Sequence, residues 1–143
     1  VKFLAVNVET FKRGVKKGIS TTIYIGKILI PVYFFVTILK HTPAMGYIAS
    51  IFKPIMHMVG LPGEAAVPFV VGNMINLYAG IGAISAITLN AKEITIISVM
   101  LCFSHSLFLE TAICKKIGVS GTFIIIMRLT LAFIFGIVLN IIL

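Results

Sequence analysis

Apolar runs long enough to cross a bilayer recur along this sequence, and they leave few folds open. Residues 19–39, 69–89, 94–114 and 122–143 each reach the length of about 20 residues that spans a hydrocarbon core. Lys27, Glu110 and Arg128 are the only Lys, Arg, Asp or Glu residues within them. In lipid, backbone N–H and C=O groups have no water to bond, and a helix satisfies them within itself. The expected fold is therefore an all-α integral membrane protein. About five transmembrane helices are expected, with one broken or re-entrant segment and an N-terminal amphipathic helix.

Composition agrees. Only 11% of the residues are charged and 59% are apolar, against about 25% and about 45–50% in soluble domains. That is too little charge to cover a water-exposed surface. The net charge of +8 does not point to nucleic acid, because the lysines flank apolar runs instead of forming a basic, aromatic-rich face. Lipid flanked by cations is the positive-inside pattern. Asp is absent, and the carboxylates are Glu9, Glu64, Glu93 and Glu110. Cys102 and Cys114 lie inside an apolar run and read as packing residues. The first residues lack the pattern of a secretory signal.

Two domains are expected, a helix over 1–18 and a membrane domain over 19–143. In the first, Lys2, Lys12, Arg13, Lys16 and Lys17 alternate with Phe3, Leu4, Val8, Phe11 and Val15. This pattern suits a helix lying on the cytoplasmic face against anionic headgroups. Residues 44–59 carry Lys53, Pro54 and His57; they form either a short span or an interfacial helix. Residues 60–68, Gly-Leu-Pro-Gly-Glu-Ala-Ala-Val-Pro, cannot be regular helix. Broken backbone at membrane depth is tolerated where protein buries it or water reaches it, and transporters build midplane sites this way.

The basic N-terminal cluster and Lys115-Lys116 both belong on the cytoplasmic side of a cell membrane. An even number of crossings must then separate them. Counting 19–39, 44–59, 69–89 and 94–114 gives four, and 122–143 makes five. A surface-lying 44–59, or a re-entrant 44–68, would put the clusters on opposite sides.

Several residues could carry chemistry. Glu64, inside the broken segment, either faces a cavity or ligand or caps the next helix from a surface loop. Asn73 and Asn76, three apart, share one helix face with Tyr78 nearby; they bond either a polar ligand or a neighbouring helix. Ser98, Cys102, Ser106, Glu110 and Cys114 recur every four residues as a polar stripe. Glu110, close to the cytoplasmic end, either serves this polar face or is an interfacial carboxylate pairing Lys115 or Lys116. His105, deeper, is either a ligand contact or an inter-helix hydrogen bond. His105 and Glu110 are five apart, so on one helix they would face different directions. No nucleophile–base pair, phosphate loop or paired catalytic carboxylates can be read.

The run Gly60-Leu61-Pro62-Gly63-Glu64-Ala65-Ala66-Val67-Pro68, followed by Gly72-Asn73-Met74-Ile75-Asn76-Leu77-Tyr78-Ala79-Gly80-Ile81-Gly82, resembles the nucleoside-recognition or Gate domain family. Ser104-His105-Ser106-Leu107-Phe108-Leu109-Glu110-Thr111-Ala112 looks like its short stand-alone members. The family includes concentrative nucleoside transporters, ferrous-iron permeases and spore maturation membrane proteins. Glu64-Ala65 and Pro68 are similar to the Gly-Gln-Thr-Glu-Ala-Pro motif of the nucleoside transporters, without its Gln-Thr. Asn76 alone matches their Asn-Phe-Ser-Ser motif. The iron permeases' Cys next to glycine has no counterpart here.

The resemblance implies a transporter or transporter half that binds a small polar solute, nucleosides among the candidates. The solute would meet Glu64, Asn73, Asn76, Tyr78, His105, Ser106 and Glu110. No cofactor or enzymatic activity is implied, and the coupling ion would be Na+ or H+. One repeat would need a homo-oligomer or a second Gate-like half. The alternatives are a non-transporting scaffold like the spore maturation proteins, and a divalent metal-ion permease.

Overall fold

The computed structural model describes residues 8–143; Lys2, Phe3 and Leu4 of the expected basic arm lie outside them. The described residues form helices α1 (Val8–Lys40), α2 (Pro43–Met58), α3 (Ala66–Met74), α4 (Leu77–Ala86), α5 (Ala91–Ser104), α6 (Leu107–Lys116) and α7 (Gly121–Ile142). A single 3-10 turn, Gly63–Ala65, precedes α3. The protein is an all-α integral membrane protein.

Among the described residues three helical segments are long and apolar enough to cross a membrane: α1, the α5–α6 pair over Ala91–Lys116, and α7. A fourth arises only if α2 and the segment Gly63–Met74 are joined across their 95° bend. About five were expected from the sequence, and the difference in long apolar helices lies first in residues 69–89. That run is not one helix. It folds into α3 and α4, which pack face to face. The reversal is set by Asn76, whose backbone is extended (φ −171°, ψ 173°) and whose Oδ1 accepts the Ala79 N–H at 2.9 Å. Asparagine is among the strongest helix N-caps because its short side chain reaches such an orphan donor. The two helices meet at glycines: a Cβ on Gly80 would stand 3.0 Å from the Gly72 Cα.

Side-chain contacts fix which ends lie together. Lys40, at the end of α1, donates to Thr88 at 3.2 Å. Lys92, in the first turn of α5, donates to the Asn140 carbonyl near the end of α7 at 2.8 Å. Gly60, after α2, lies against the Asn140 side chain with φ +73°, a conformation that suits glycine. So α2 starts beside Lys40 and ends beside Asn140, at one end of the bundle. The hairpin α3–α4 also opens at that end. Its tip is at mid-depth, where the Ser106 N–H donates to the Gly72 carbonyl at 3.0 Å. At the opposite end α6 turns into α7, with Gly121 against Lys115 and Thr111.

The main core joins Met56, Val59, Phe69, Ile96, Ile97, Met100, Leu101 and Ala132. Phe69 and Phe133 meet edge to face at 5.8 Å, and Phe103 stacks on Phe135 at 4.5 Å. A second cluster ties Val36 and Met45 to Val67, Ala83 and Ile87. α1 runs unbroken through residues 18 and 19, and its residues 8–24 are all exposed. At 1.5 Å per residue it is about 50 Å long, well beyond the hydrocarbon thickness of about 30 Å.

Candidate functional site

The expected span over 94–114 also breaks. α5 ends at Ser104 and α6 begins at Leu107. Between them Ser106 takes a left-handed conformation (φ 51°, ψ 36°), the only non-glycine with positive φ among the described residues. The break lies about 20 Å along the helix from Ala91, near the middle of the span.

Arg128 of α7 closes this break. Its Nε donates to the Phe103 carbonyl at 2.7 Å and its Nη2 to the His105 carbonyl at 3.1 Å. The first is among the last carbonyls of α5, which have no partner within the helix, and the second belongs to the residue that follows it. Its Nη1 lies 2.7 Å from Glu110 Oε2. That approach is off the N–H axis, so it is an ion pair and not an aligned hydrogen bond. Glu110 Oε1 is 3.6 Å from His105 Nε2, while His105 Nδ1 is 2.9 Å from the Leu101 carbonyl. A charged group at membrane depth is costly and must face a partner or water. Here a cation and a carboxylate from two helices compensate each other.

Two expectations are corrected at this point. His105 and Glu110 do face each other, because the left-handed Ser106 rotates α6 relative to α5 and cancels their unfavourable spacing. Glu110 pairs Arg128, not Lys115 or Lys116. The same break interrupts the four-residue stripe: Ser106 is buried, whereas Ser98 and Cys102 are exposed.

Asn73 and Asn76 do not share a helix face. Asn73 sits in the last turn of α3, buried, with Nδ2 donating to the Phe69 carbonyl at 2.7 Å and Oδ1 without a partner. Asn76 is the cap of α4. Tyr78 is exposed on the first turn of α4. Glu64 is half-buried in the 3-10 turn, which folds back on α2 through Gly63 and Ala49. It forms no hydrogen bond or ion pair with the other described residues. The structure therefore brings His105 and Glu110 together at the second break, joins Ser106 to the hairpin through the Gly72 carbonyl next to Asn73, and leaves Glu64 near the end where the hairpin opens. A cleft of about 230 Å³ between α1, α2 and α3 is apolar throughout and includes none of these residues. Among the described residues no three His, Cys, Asp or Glu side chains converge as metal ligands would.

Arg128 is the residue that sequence reasoning left without a role. Its signal was available: a lone arginine in a 22-residue apolar helix must find a carboxylate or carbonyls.

The chain is 43% identical over 134 residues to an uncharacterized membrane protein of Bacillus subtilis, YvoD; the match covers 94% of this chain and 43% of that protein. It is 33% identical over 88 residues to the Fe(2+) transporter FeoB of Legionella pneumophila, a match covering 62% of this chain and 11% of the transporter. The chain thus spans less than half the length of either relative. No solved structure matches it. The family model for Gate, described as nucleoside recognition, matches residues 22–142, and the chain belongs to the Gate family.

Proposed function

We propose that this chain is a membrane transport protein of the Gate family, or one half of one, in which a small polar solute passes the tip of the α3–α4 hairpin. One observation carries the reading. Two helix breaks meet at mid-depth through the Ser106–Gly72 bond, beside a buried Asn73 Oδ1 that has no partner. Discontinuous helices that meet near the midplane are the usual frame of a transporter site. An unpartnered buried acceptor is costly unless something bonds it.

In this reading Asn73, His105, Ser106 and Glu110 line the path, and the free Nδ2 of Asn76 lies at its edge. Glu64 guards the mouth between α2 and α3. Tyr78 faces lipid or a partner. No hydrolytic or redox step is needed. α1, α5–α6 and α7 make three crossings of a cell membrane, with α2 along the far surface and α3–α4 re-entrant from it. The N-terminal cluster and Lys115-Lys116 then share the cytoplasmic side, with residues 8–17 as a basic arm there. The hairpin fills only one leaflet, so a second copy or a second Gate-like half would complete the other.

The test is thermal stabilisation of the purified chain by nucleosides at saturating concentration. A rise of several degrees that Asn73→Leu abolishes supports the reading. No rise with any nucleoside, nucleobase or sugar sinks it and leaves a scaffold subunit. The match to FeoB over 88 residues favours a second reading, a divalent metal permease. Stabilisation by a divalent metal that is lost in His105→Ala would select it.

A further inference from the structure

We infer that α1 carries a binding site for the phosphate of one anionic phospholipid, held between Lys16 and Lys27 on the outer face of the helix. The two lysines are eleven residues apart, three helical turns, so they share one face at about 16 Å along the axis. Ser20 and Tyr24 lie between them. Together with Ile19 and Ile23 these four line one open groove. All four polar residues are exposed, and none forms a hydrogen bond or ion pair with the other described residues.

Depth gives the two lysines different tasks. About 20 residues cross the hydrocarbon core, so counted back from Lys40, where α1 ends, the near boundary falls at about Ser20. Lys16 then stands about 6 Å outside the core and Lys27 about 10 Å inside it. A charged group at that depth must reach a partner or water. In a helix the Cα–Cβ bonds tilt towards the N-terminus. The Lys27 stem therefore leads back to the boundary past Ile23 and Tyr24, and its ammonium snorkels towards Ser20. Lys16 closes the groove from the headgroup side. Two ammonium groups converging on one groove repel each other, and an anion between them turns that repulsion into attraction. Glu9, the only acidic residue of α1, does not serve; it lies about 10 Å beyond Lys16, beside Lys12 and Arg13. A phosphate diester supplies the charge. Its oxygens accept from both ammonium groups and from the Ser20 and Tyr24 hydroxyls, while its tails run along Ile23, Ile30 and Phe34, exposed on the same side. A partner helix fits this face poorly. Helices that pair in lipid meet at small residues, and those of α1, Gly14 and Gly18, lie on the opposite side with nothing close to them.

With the basic N-terminal end on the cytoplasmic side, the site belongs to the cytoplasmic leaflet, and it does not depend on the transport reading. The test is native mass spectrometry of the full chain released from bilayer discs of phosphatidylcholine and phosphatidylglycerol, counting the phosphatidylglycerol that stays bound. The expected result is one phosphatidylglycerol retained in preference to phosphatidylcholine. Lys27→Leu and Lys16→Gln should each lower that retention at least about tenfold, as the loss of a charge-assisted bond does. Lys27→Leu places an apolar residue against lipid, so the fold is not at stake, and Lys27→Arg should keep the lipid. Lys17→Gln removes a charge at nearly the same depth as Lys16 but outside the groove. It should change retention by no more than about fivefold, the share of one charge in a diffuse attraction to the membrane surface. Equal losses in Lys17→Gln and Lys27→Leu, or no preference for phosphatidylglycerol, overturn the site. A two-chain species that dissociates in Lys27→Leu also overturns it, because the lysine would then meet a carboxylate of a second copy.

Discussion

The chain breaks two of its apolar runs, and it closes the two breaks by opposite means. At Ile75–Asn76 the closure is local: Asn76 accepts from Ala79 three residues on, and the backbone reverses into a hairpin. At His105–Ser106 the Ser106 side chain makes no cap bond. The carbonyls of Phe103 and His105 are instead met by Arg128, 25 and 23 residues away. A self-capped break can form with its own hairpin. A break capped from another helix exists only once α5, α6 and α7 have assembled. The first suits a fixed re-entrant element, the second a place where a charge can alter the backbone.

The largest expected effect therefore falls on the borrowed closure. Arg128→Met leaves two carbonyls without donors and Glu110 without its cation. Breaking a buried pair costs about 3–5 kcal/mol; since Glu110 is 40% exposed, the expected loss is near the lower end, about 3 kcal/mol. Reversible unfolding in mixed micelles measures it. Adding Glu110→Gln should restore part of the loss, because the uncompensated carboxylate is gone. If Arg128→Met costs no more than removing the local cap, the contrast between the two breaks fails.

That local cap is the second test. Asn76→Ala deletes one bond between neighbours, and N-cap losses run at about 1 kcal/mol. The protein should remain folded, and hydrogen exchange should rise first at the α4 amides near Ala79. Exchange spreading equally into α6 would mean that the hairpin is not an independent unit.

The same contrast explains what could be read beforehand. α7 and α2 fall within two residues of the expected 122–143 and 44–59, since uniform hydrophobicity and flanking prolines are local signals. The interruption expected over 60–68 is found only up to residue 65: Ala66, Val67 and Pro68 open α3, because a proline is tolerated in the first turn of a helix. The hairpin was not legible, although its signal was present: Asn76 is a strong cap inside a run whose hydrophobicity alone reads as one helix. The second break had no comparable mark, because Ser106 carries neither a glycine's freedom nor a proline's constraint. The break is capped by Arg128, and sequence spacing does not connect the two. In the proposed arrangement α2 lies on the surface and α3–α4 is re-entrant, so neither 44–59 nor 69–89 crosses. The number separating the basic clusters stays even, so the proposed orientation is unchanged.

The smallest expected effect probes the strain in the second break. Ser106 holds φ 51°, where an L side chain costs about 1–2 kcal/mol because Cβ crowds the following carbonyl. Ser106→Gly removes that cost. It also loosens the unfolded chain, which takes back about 0.4–1 kcal/mol. The serine hydroxyl caps nothing in α6, so no bond is lost with it. The net should be a gain of about 0.8 kcal/mol, the difference of the midpoints of those ranges. Ser106→Val should do the reverse, since a β-branched residue tolerates positive φ least. A glycine variant less stable than the parent would mean that the hydroxyl has a partner, in lipid or water, that holds the break as firmly as Arg128 does.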